Sequence, residues 1–330
     1  MLTASAAAGQ PKLGPVRIFA PRRSALAVLA AGAIASSAVG TRNLLSGQAL
    51  KAREVIPKSW DVPPRADGVY LPGGGPVQRW QRDVPVDIHL MVFGDSTATG
   101  YGSTDAAEVP GARLSRELAE ISGRRIRLST KAIVGATSKG LSGQVDAMFV
   151  AGPPPDAAII MIGANDVTLL NGIPQSARRL GDAVKRLRAS GAAVVVGTCP
   201  DFGIITAIPQ PLRWVARNRG LRLARAQARA VRAAGGVPVP LADLLTPEFR
   251  KAPTELFSAD GYHPSGAGYA LAAQQLLPAL SHALGETSDT LPWLSKAAES
   301  RSLATRLRML ARIWPRRTTG VPAPLVIPAG

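Results

Sequence analysis

The sequence predicts an α/β protein in which a parallel sheet is covered on both faces by helices. Three observations predict it. Short apolar runs alternate with helix-period segments over roughly 200 residues after Val84. Each run breaks at glycine or at a polar cluster, as expected of strands buried on both faces. The chain of 330 residues is 46% hydrophobic and only 18% charged, which is long enough for a substantial core and too apolar for intrinsic disorder.

Ile88 to Phe93 reads as the first strand and breaks at Gly94. Leu114, Leu118 and Ile121 then recur at helical spacing. A second strand runs from Ile126 to Val134 and stops at Gly135, and a third from Ala157 to Ile162 stops at Gly163. Leu180, Val184 and Leu187 share one helix face, with Arg178, Arg179, Lys185 and Arg186 on the others. Ala192 to Val196 and Val237 to Leu241 supply the fourth and fifth strands, and Tyr269, Ala273, Leu276 and Leu280 line a closing helix. The expectation is a parallel five-stranded sheet with no internal repeat.

Before this body, residues 42–84 read as a Pro/Gly-rich linker, interrupted at Pro57, Pro63, Pro64, Pro72 and Pro76. Gly73 to Gly75 reads as a turn, because a phosphate loop needs a strand before it and Lys-Ser/Thr after it. Trp60 and Trp80 read as packing residues. At the front, Arg17, Arg22 and Arg23 precede an uncharged run, Ser24 to Thr41, with small residues at Ser36-Ser37-Ala38. That is a secretory signal pattern, or an uncleaved anchor with its arginines held inside. Arg22-Arg23 also permits a twin-arginine signal. The domain plan is therefore 1–41 signal or anchor, 42–84 linker, 85–285 the α/β domain and 286–330 a basic extension. In that extension Leu303, Leu307, Leu310 and Trp314 share a helical face, with Arg301, Arg308 and Arg312 largely elsewhere, a pattern suited to a membrane surface. The expected location is outside the cytoplasm, at the cell envelope or secreted.

Composition excludes several classes. Only one uncharged stretch approaches spanning length, which rules out a polytopic membrane protein. Cys199 is the sole cysteine, so no disulfide scaffold exists, and His89, His263 and His282 are too scattered for a zinc cluster. The net charge of +17 invites a nucleic-acid reading, but its distribution argues otherwise. Residues 1–60 hold eight basic residues and one acidic, residues 281–330 seven and three, and the long middle 24 and 18. Basic ends around a nearly balanced body, without a zinc-finger, RNP or P-loop spacing, fit an anionic membrane or envelope surface as partner and no nucleic acid.

In sheets of this kind ligands bind beyond the carboxyl ends of the strands. Gly94-Asp95-Ser96, Gly135-Ala136-Thr137-Ser138 and Gly163-Ala164-Asn165-Asp166 each follow a strand, and Asp260-Gly261-Tyr262-His263-Pro264 precedes the last helix. A serine hydroxyl becomes a useful nucleophile only when a base takes its proton and a third group orients the base. Ser96, at a strand-to-helix turn, is the candidate nucleophile. His263 is the histidine with a carboxylate close by in a Gly/Pro-bounded loop, and Asp260 can fold back to accept its Nδ1–H. The N–H of Ser96, the N–H of Gly135 and the Asn165 amide are candidate donors to a developing oxyanion. Asp95 and Asp166 read as structural, and Cys199 as a buried thiol.

At these residues the chain resembles the SGNH or GDSL-type esterases and lipases. The likeness spans about residues 86 to 282 with the four blocks in order. It implies Ser96 as nucleophile, His263 as base, Asp260 as its orienter, Gly135 and Asn165 as oxyanion donors, and a flavodoxin-like strand order 2-1-3-4-5 in a three-layer sandwich. Thr97 stands where the GDSL signature has Leu, and Ala132 where many members have Asn. The implied activity is hydrolysis of carboxylic esters with short to medium acyl chains, through an acyl-enzyme and without metal or cofactor, on a small ester or lipid. The same triad would serve an envelope polysaccharide deacetylase, a lysophospholipase or a thioesterase. From another class, an envelope binding protein could keep the fold without turnover.

After the fourth strand, Asp201 to Val215 carries Phe202, Ile204, Ile205, Ile208, Leu212 and Trp214 and is expected to wall an acyl pocket. The arginines that follow, from Arg213 to Arg232, come without one acid, and those nearest the rim, Arg217 and Arg219, are expected to attract anionic substrates or headgroups.

Overall fold

The computed structural model describes residues 43–49, 51, 62–150 and 152–286. The chain divides into two compact units, residues 1–51 and 52–330. In the first, residues 43–49 form helix α1. The apolar run Ser24 to Thr41, Trp60 and the face Leu303 to Trp314 lie outside the described residues. Among the described residues no helix is long and apolar enough to cross a membrane.

The second unit is a three-layer α/β sandwich. Five parallel strands, β2 (Ile88–Gly94), β3 (Ile126–Thr130), β4 (Ala157–Met161), β5 (Ala193–Gly197) and β6 (Val237–Val239), lie in the order β3-β2-β4-β5-β6. Counted along the parallel strands, this is 2-1-3-4-5, the order the resemblance implies. β2, β4 and β5 are buried on both faces, which is why each reads as a continuous apolar run.

A sixth strand makes the sheet mixed. β1 (Gly68–Tyr70) pairs antiparallel with β3, Val69 facing Arg127. It comes from the stretch expected to be a linker, so the domain begins before residue 85. Three residues between prolines carry no readable alternation. What recruits them is tertiary: Val69 exchanges two backbone hydrogen bonds with Gln78 across the Gly73–Gly75 turn, whose three glycines all have positive φ. Beyond it, the Arg127 guanidinium sits 3.4 Å from the centroid of the Trp80 ring. A second correction concerns β3, which ends at Thr130 and not at Val134. Lys131 and Ala132 both donate to Val92 O, which turns the chain off the sheet and leaves Ile133 exposed.

Side-chain alternation divides the core between the two faces. Leu90 and Val92 of β2 and Ile159 of β4 pack with α3 (Pro110–Ser122) and α10 (Gly266–Leu284). Met91, Phe93 and Ile160 pack with α4 (Leu141–Val150) and α6 (Ile173–Ala189) on the other face. A third apolar cluster caps the carboxyl end of the sheet. It joins Phe202 and Ile205 to the start of α7 (Leu212–Ala233) and to Phe249, Leu256 and Phe257 from α8 (Leu241–Lys251), α9 (Pro253–Leu256) and the residue after it.

Candidate active site

β2 ends at Gly94, and the chain turns at once into α2 (Ser96–Thr99). Gly94 has φ +138°, and a Cβ there would lie 1.9 Å from the carbonyl oxygen of Met161. Only glycine allows β2 and β4 to approach this closely at the turn. A Gly94→Ala variant is expected to lose about 3 kcal/mol of stability or more, read as a lowered urea midpoint at unchanged slope. Asp95 is the N-cap: its carboxylate accepts from the N–H of Thr97 at 3.0 Å and from the N–H of Gly163 at 3.2 Å. Burial raises its pKa, opposed by these hydrogen bonds and those of the Thr97 side chain. Asp95 thus ties the nucleophile turn to the end of β4.

Ser96 Oγ lies 2.9 Å from His263 Nε2, and His263 Nδ1 lies 2.6 Å from Asp260 Oδ2. The pair Ser96 and His263 is separated by 167 residues in the chain, yet both side chains are almost fully buried. The loop carrying the base is folded around Asp260. Its Oδ1 accepts from Ser258 Oγ at 2.7 Å and from the N–H groups of Tyr262 at 2.8 Å and His263 at 2.9 Å. Burial works to raise the Asp260 pKa, but the hydrogen bond from His263 and the other three donors outweigh it and hold the group at about 2. Asp260 is therefore a carboxylate at neutral pH, able to keep Nδ1 protonated and Nε2 free to accept from the serine.

His263 is packed between aromatic rings, Tyr101 at 4.6 Å and Tyr262 at 4.9 Å between centroids. Tyr101 is itself held by its carbonyl oxygen, which accepts from the buried Tyr269 hydroxyl at 2.7 Å. Ser265 caps α10 by accepting from the N–H of Gly268, so the base loop is anchored immediately after His263.

The third and fourth blocks meet on the same rim. Asn165, at the start of α5 (Ala164–Thr168), donates through Nδ2 to Ala136 O at 2.9 Å, and the N–H of Ile133 reaches Gly94 O at 3.1 Å. Gly135 has φ +79° in this loop. Among the described residues, the N–H groups of Ser96 and Gly135 have no hydrogen-bond partner. An amide nitrogen has two hydrogens, so the bond to Ala136 leaves Asn165 a second donor. Asp166 fixes the loop beneath: its carboxylate accepts from Ser138 N–H and Oγ, from Asn171 Nδ2 and from Ser176 Oγ at 2.7–3.0 Å. Asp95 and Asp166 thus have the structural roles their positions imply. Ala132, in place of Asn, packs half-buried against the sheet core.

Two buried glutamines complete the frame. Gln144 of α4 accepts from Gly94 N–H and donates to Gly94 O, both at 2.8 Å. Gln227 of α7 accepts from Cys199 N–H and donates to Ile162 O, both at 2.8 Å. Neither was picked out from sequence, although each interrupts an apolar helical stripe: Gln144 lies beside Leu141, Val145 and Met148, and Gln227 between Leu223 and Val231. Tyr101 carries no such signal.

The stretch after β5 meets its expectation in part. Phe202, Ile204 and Ile205 line a cavity that reaches His263, but Trp214 is 63% exposed on α7 and is not part of its lining. Arg217 pairs with Asp201 at 3.2 Å, and Arg219 donates to Asn171 O, so both are engaged in holding loops. Cys199 is buried, and burial with three nearby aspartates raises its thiol pKa well above normal. Among the described residues no cluster of His, Cys, Asp or Glu is placed to hold a metal ion.

A hydroxyl bonded to an imidazole that is bonded to a buried carboxylate, at the carboxyl rim of a parallel sheet, is the equipment of a hydrolase of the α/β class. The model of the GDSL-like lipase/acylhydrolase family matches residues 92–271. The GDSL-like esterase Rv1075c of Mycobacterium tuberculosis (strain ATCC 25618 / H37Rv) is 64% identical over 310 residues, covering 92% of this chain and 99% of that protein. Among solved structures, the lipase/acylhydrolase from Enterococcus faecalis is 21% identical, covering 62% of this chain and all of that one with a TM-score of 0.47. The psychrotrophic esterase EstA from Pseudoalteromonas sp. is 18% identical, covering 60% of this chain and all of that one with a TM-score of 0.48. The chain belongs to the GDSL-like lipase/acylhydrolase family, and it is a carboxylic ester hydrolase.

Proposed function

We propose that the protein hydrolyses esters of short to medium acyl chains through an acyl-enzyme on Ser96. His263 Nε2 takes the hydroxyl proton as Ser96 Oγ bonds to the carbonyl carbon. The N–H groups of Ser96 and Gly135 and the free Asn165 amide hydrogen receive the oxyanion. When the tetrahedral adduct collapses, the C–O bond to the alcohol breaks and His263 returns the proton to the leaving oxygen. Water, deprotonated by His263, then attacks the acyl-enzyme and frees Ser96 with the carboxylic acid. Asp260 stays ionised throughout and stabilises the imidazolium.

The observation that supports this reading is the hydrogen-bonded relay Ser96–His263–Asp260, with one oxygen of Asp260 on the base and the other held by three donors. An organophosphate ester tests it. Diethyl p-nitrophenyl phosphate is expected to release one nitrophenol per chain, abolish hydrolysis of p-nitrophenyl acetate, and leave its phosphoryl mass on the peptide carrying Ser96. Ester hydrolysis that continues with no adduct on Ser96 would remove the serine mechanism. An ester bound but never hydrolysed by the untreated protein would favour a binding protein on the same fold.

A second reading has its own support. Beside Asp260 runs an open groove of about 710 Å³ whose walls include Ser103, Thr104, Glu108, Ser258 and Ser265. Hydroxyls and carboxylates of this kind suit a polyhydroxylated alcohol, as in an acetylated envelope polysaccharide. Release of acetate from such a polymer, faster than from simple alkyl acetates, would favour it over lysophospholipid or thioester substrates. We also propose export and contact with an anionic envelope surface, supported by the basic ends of the chain and the apolar run after Arg22-Arg23. Protein found only in the cytosolic fraction of cells would overturn that.

A further inference from the structure

We propose that the apolar cavity behind the nucleophile turn is an acyl pocket that limits the preferred chain to about four to six carbons. The inference deepens the esterase reading and rests on it. The cavity measures about 80 Å³, and its lining includes Asp95, Thr97 and His263, the residues on either side of the nucleophile and the base hydrogen-bonded to it. Phe202, Ile205, Leu245 and Phe249 of the cap on the carboxyl end of the sheet also line it, with Ala272 of α10.

Much of its polar lining is already engaged. Asp95 is satisfied by the N–H groups of Thr97 and Gly163, Asp201 by Gly203 N–H and Arg217, and Thr246 Oγ1 donates to Ala242 O at 2.6 Å. The Cys199 thiol is held neutral by burial. With these groups engaged and most of the lining apolar, the space offers a water few partners and a hydrocarbon a good surface. An apolar cavity of roughly 150 Å³ accepts a six-carbon ring, so 80 Å³ takes about three carbons beyond those at the reacting centre. Thr97, which lines the cavity beside Ser96 in the chain, stands where the GDSL signature has the larger Leu.

Two substitutions away from the triad test the pocket. Ala272→Leu adds three carbons directly to the cavity wall, and Leu245→Ala removes three from another part of its lining. Initial rates would be measured on p-nitrophenyl acetate, butanoate, hexanoate and octanoate. The wild type is expected to peak at butanoate or hexanoate in kcat/KM. Ala272→Leu is expected to keep acetate turnover within about threefold while losing at least tenfold on hexanoate, and Leu245→Ala to move the peak to longer chains, since each methylene in such a pocket is worth about tenfold or more. A thermal melt confirms that both variants fold. Binding is read separately from turnover: hexanoate is expected to raise the Tm of Ser96→Ala protein but not of Ser96→Ala carrying Ala272→Leu.

A chain-length profile unchanged in the folded Ala272→Leu variant, with equal hexanoate shifts in both backgrounds, would make the cavity a packing void and leave the esterase reading intact. Hexanoate binding that depends on Ala272, in a protein hydrolysing none of the esters, would keep the pocket and overturn the serine mechanism.

Discussion

Ser96→Ala is expected to lower kcat on p-nitrophenyl butanoate by about 10⁴- to 10⁶-fold, with little change in KM or in Tm. The size follows from what the alanine removes: the atom that bonds to the acyl carbon, and with it the step that His263 assists. The residue of activity comes from the oxyanion donors, which the substitution leaves in place, since the Ser96 N–H, the Gly135 N–H and the Asn165 amide do not depend on Oγ. Stability should hardly move. Ser96 Oγ makes its hydrogen bond to His263, and the cap of α2 is the Asp95 carboxylate rather than the serine hydroxyl. The measurement is the full progress curve on purified variant and wild type at equal concentration. Comparable rates in the two would require a different nucleophile.

Asp260→Asn is expected to cost about 10³- to 10⁴-fold in kcat at neutral pH. The amide can present a donor to Nδ1, which favours the wrong tautomer and leaves Nε2 protonated against the serine. It also weakens the loop, because the carboxylate accepts from Ser258, Tyr262 and His263 as well as from the ring. The pH dependence of stability gives a second readout. The folded pKa of Asp260 is held at about 2 against an ordinary 3.8, so the unfolded chain binds the proton first as pH falls. The contribution, about 2 kcal/mol, is fully present above pH 4 and is lost as pH drops through about 2. Chemical denaturation from pH 6 to pH 2 should therefore show wild type and Asp260→Asn converging at the acid end. Parallel curves would mean that the carboxylate carries no such linkage.

The site was legible in the sequence because the sheet rule gathers strand ends. Gly94-Asp95-Ser96 and Gly163 to Asp166 each terminate an apolar run, and Asp260 to His263 opens the last helix, so chain order and topology alone bring them to one rim. Distances were not legible: nothing in the sequence says that Asn165 reaches Ala136, or that Tyr101 packs on the His263 ring. Positions whose partner is fixed by tertiary contact were misread. Arg217 and Arg219 read as free to attract anions until Asp201 and the carbonyl of Asn171 are brought against them. Trp214 looks like a pocket wall until the helix beginning at Leu212 turns it outward. In the same way β1 depends on the Gly73–Gly75 turn and the Val69–Gln78 bridge, and three residues are too few to show a period.

The buried glutamines have a consequence for how the protein breathes. Gln144 spans both backbone groups of Gly94, and Gln227 joins Ile162, the residue after β4, to Cys199, two residues after β5, each from a helix packed on the same face of the sheet. A fluctuation that frees the Gly94 or Cys199 amide must also withdraw a helix from the core. Those amides are therefore coupled to opening of the whole sandwich and should exchange their hydrogens with solvent among the slowest in the chain. The backbone of the Asp260–His263 loop takes its hydrogen bonds from residues 256–265 rather than from a core helix, so its amides are expected to exchange faster. The proposed nucleophile sits among the amides expected to exchange slowly, and the proposed base in a loop expected to open more readily.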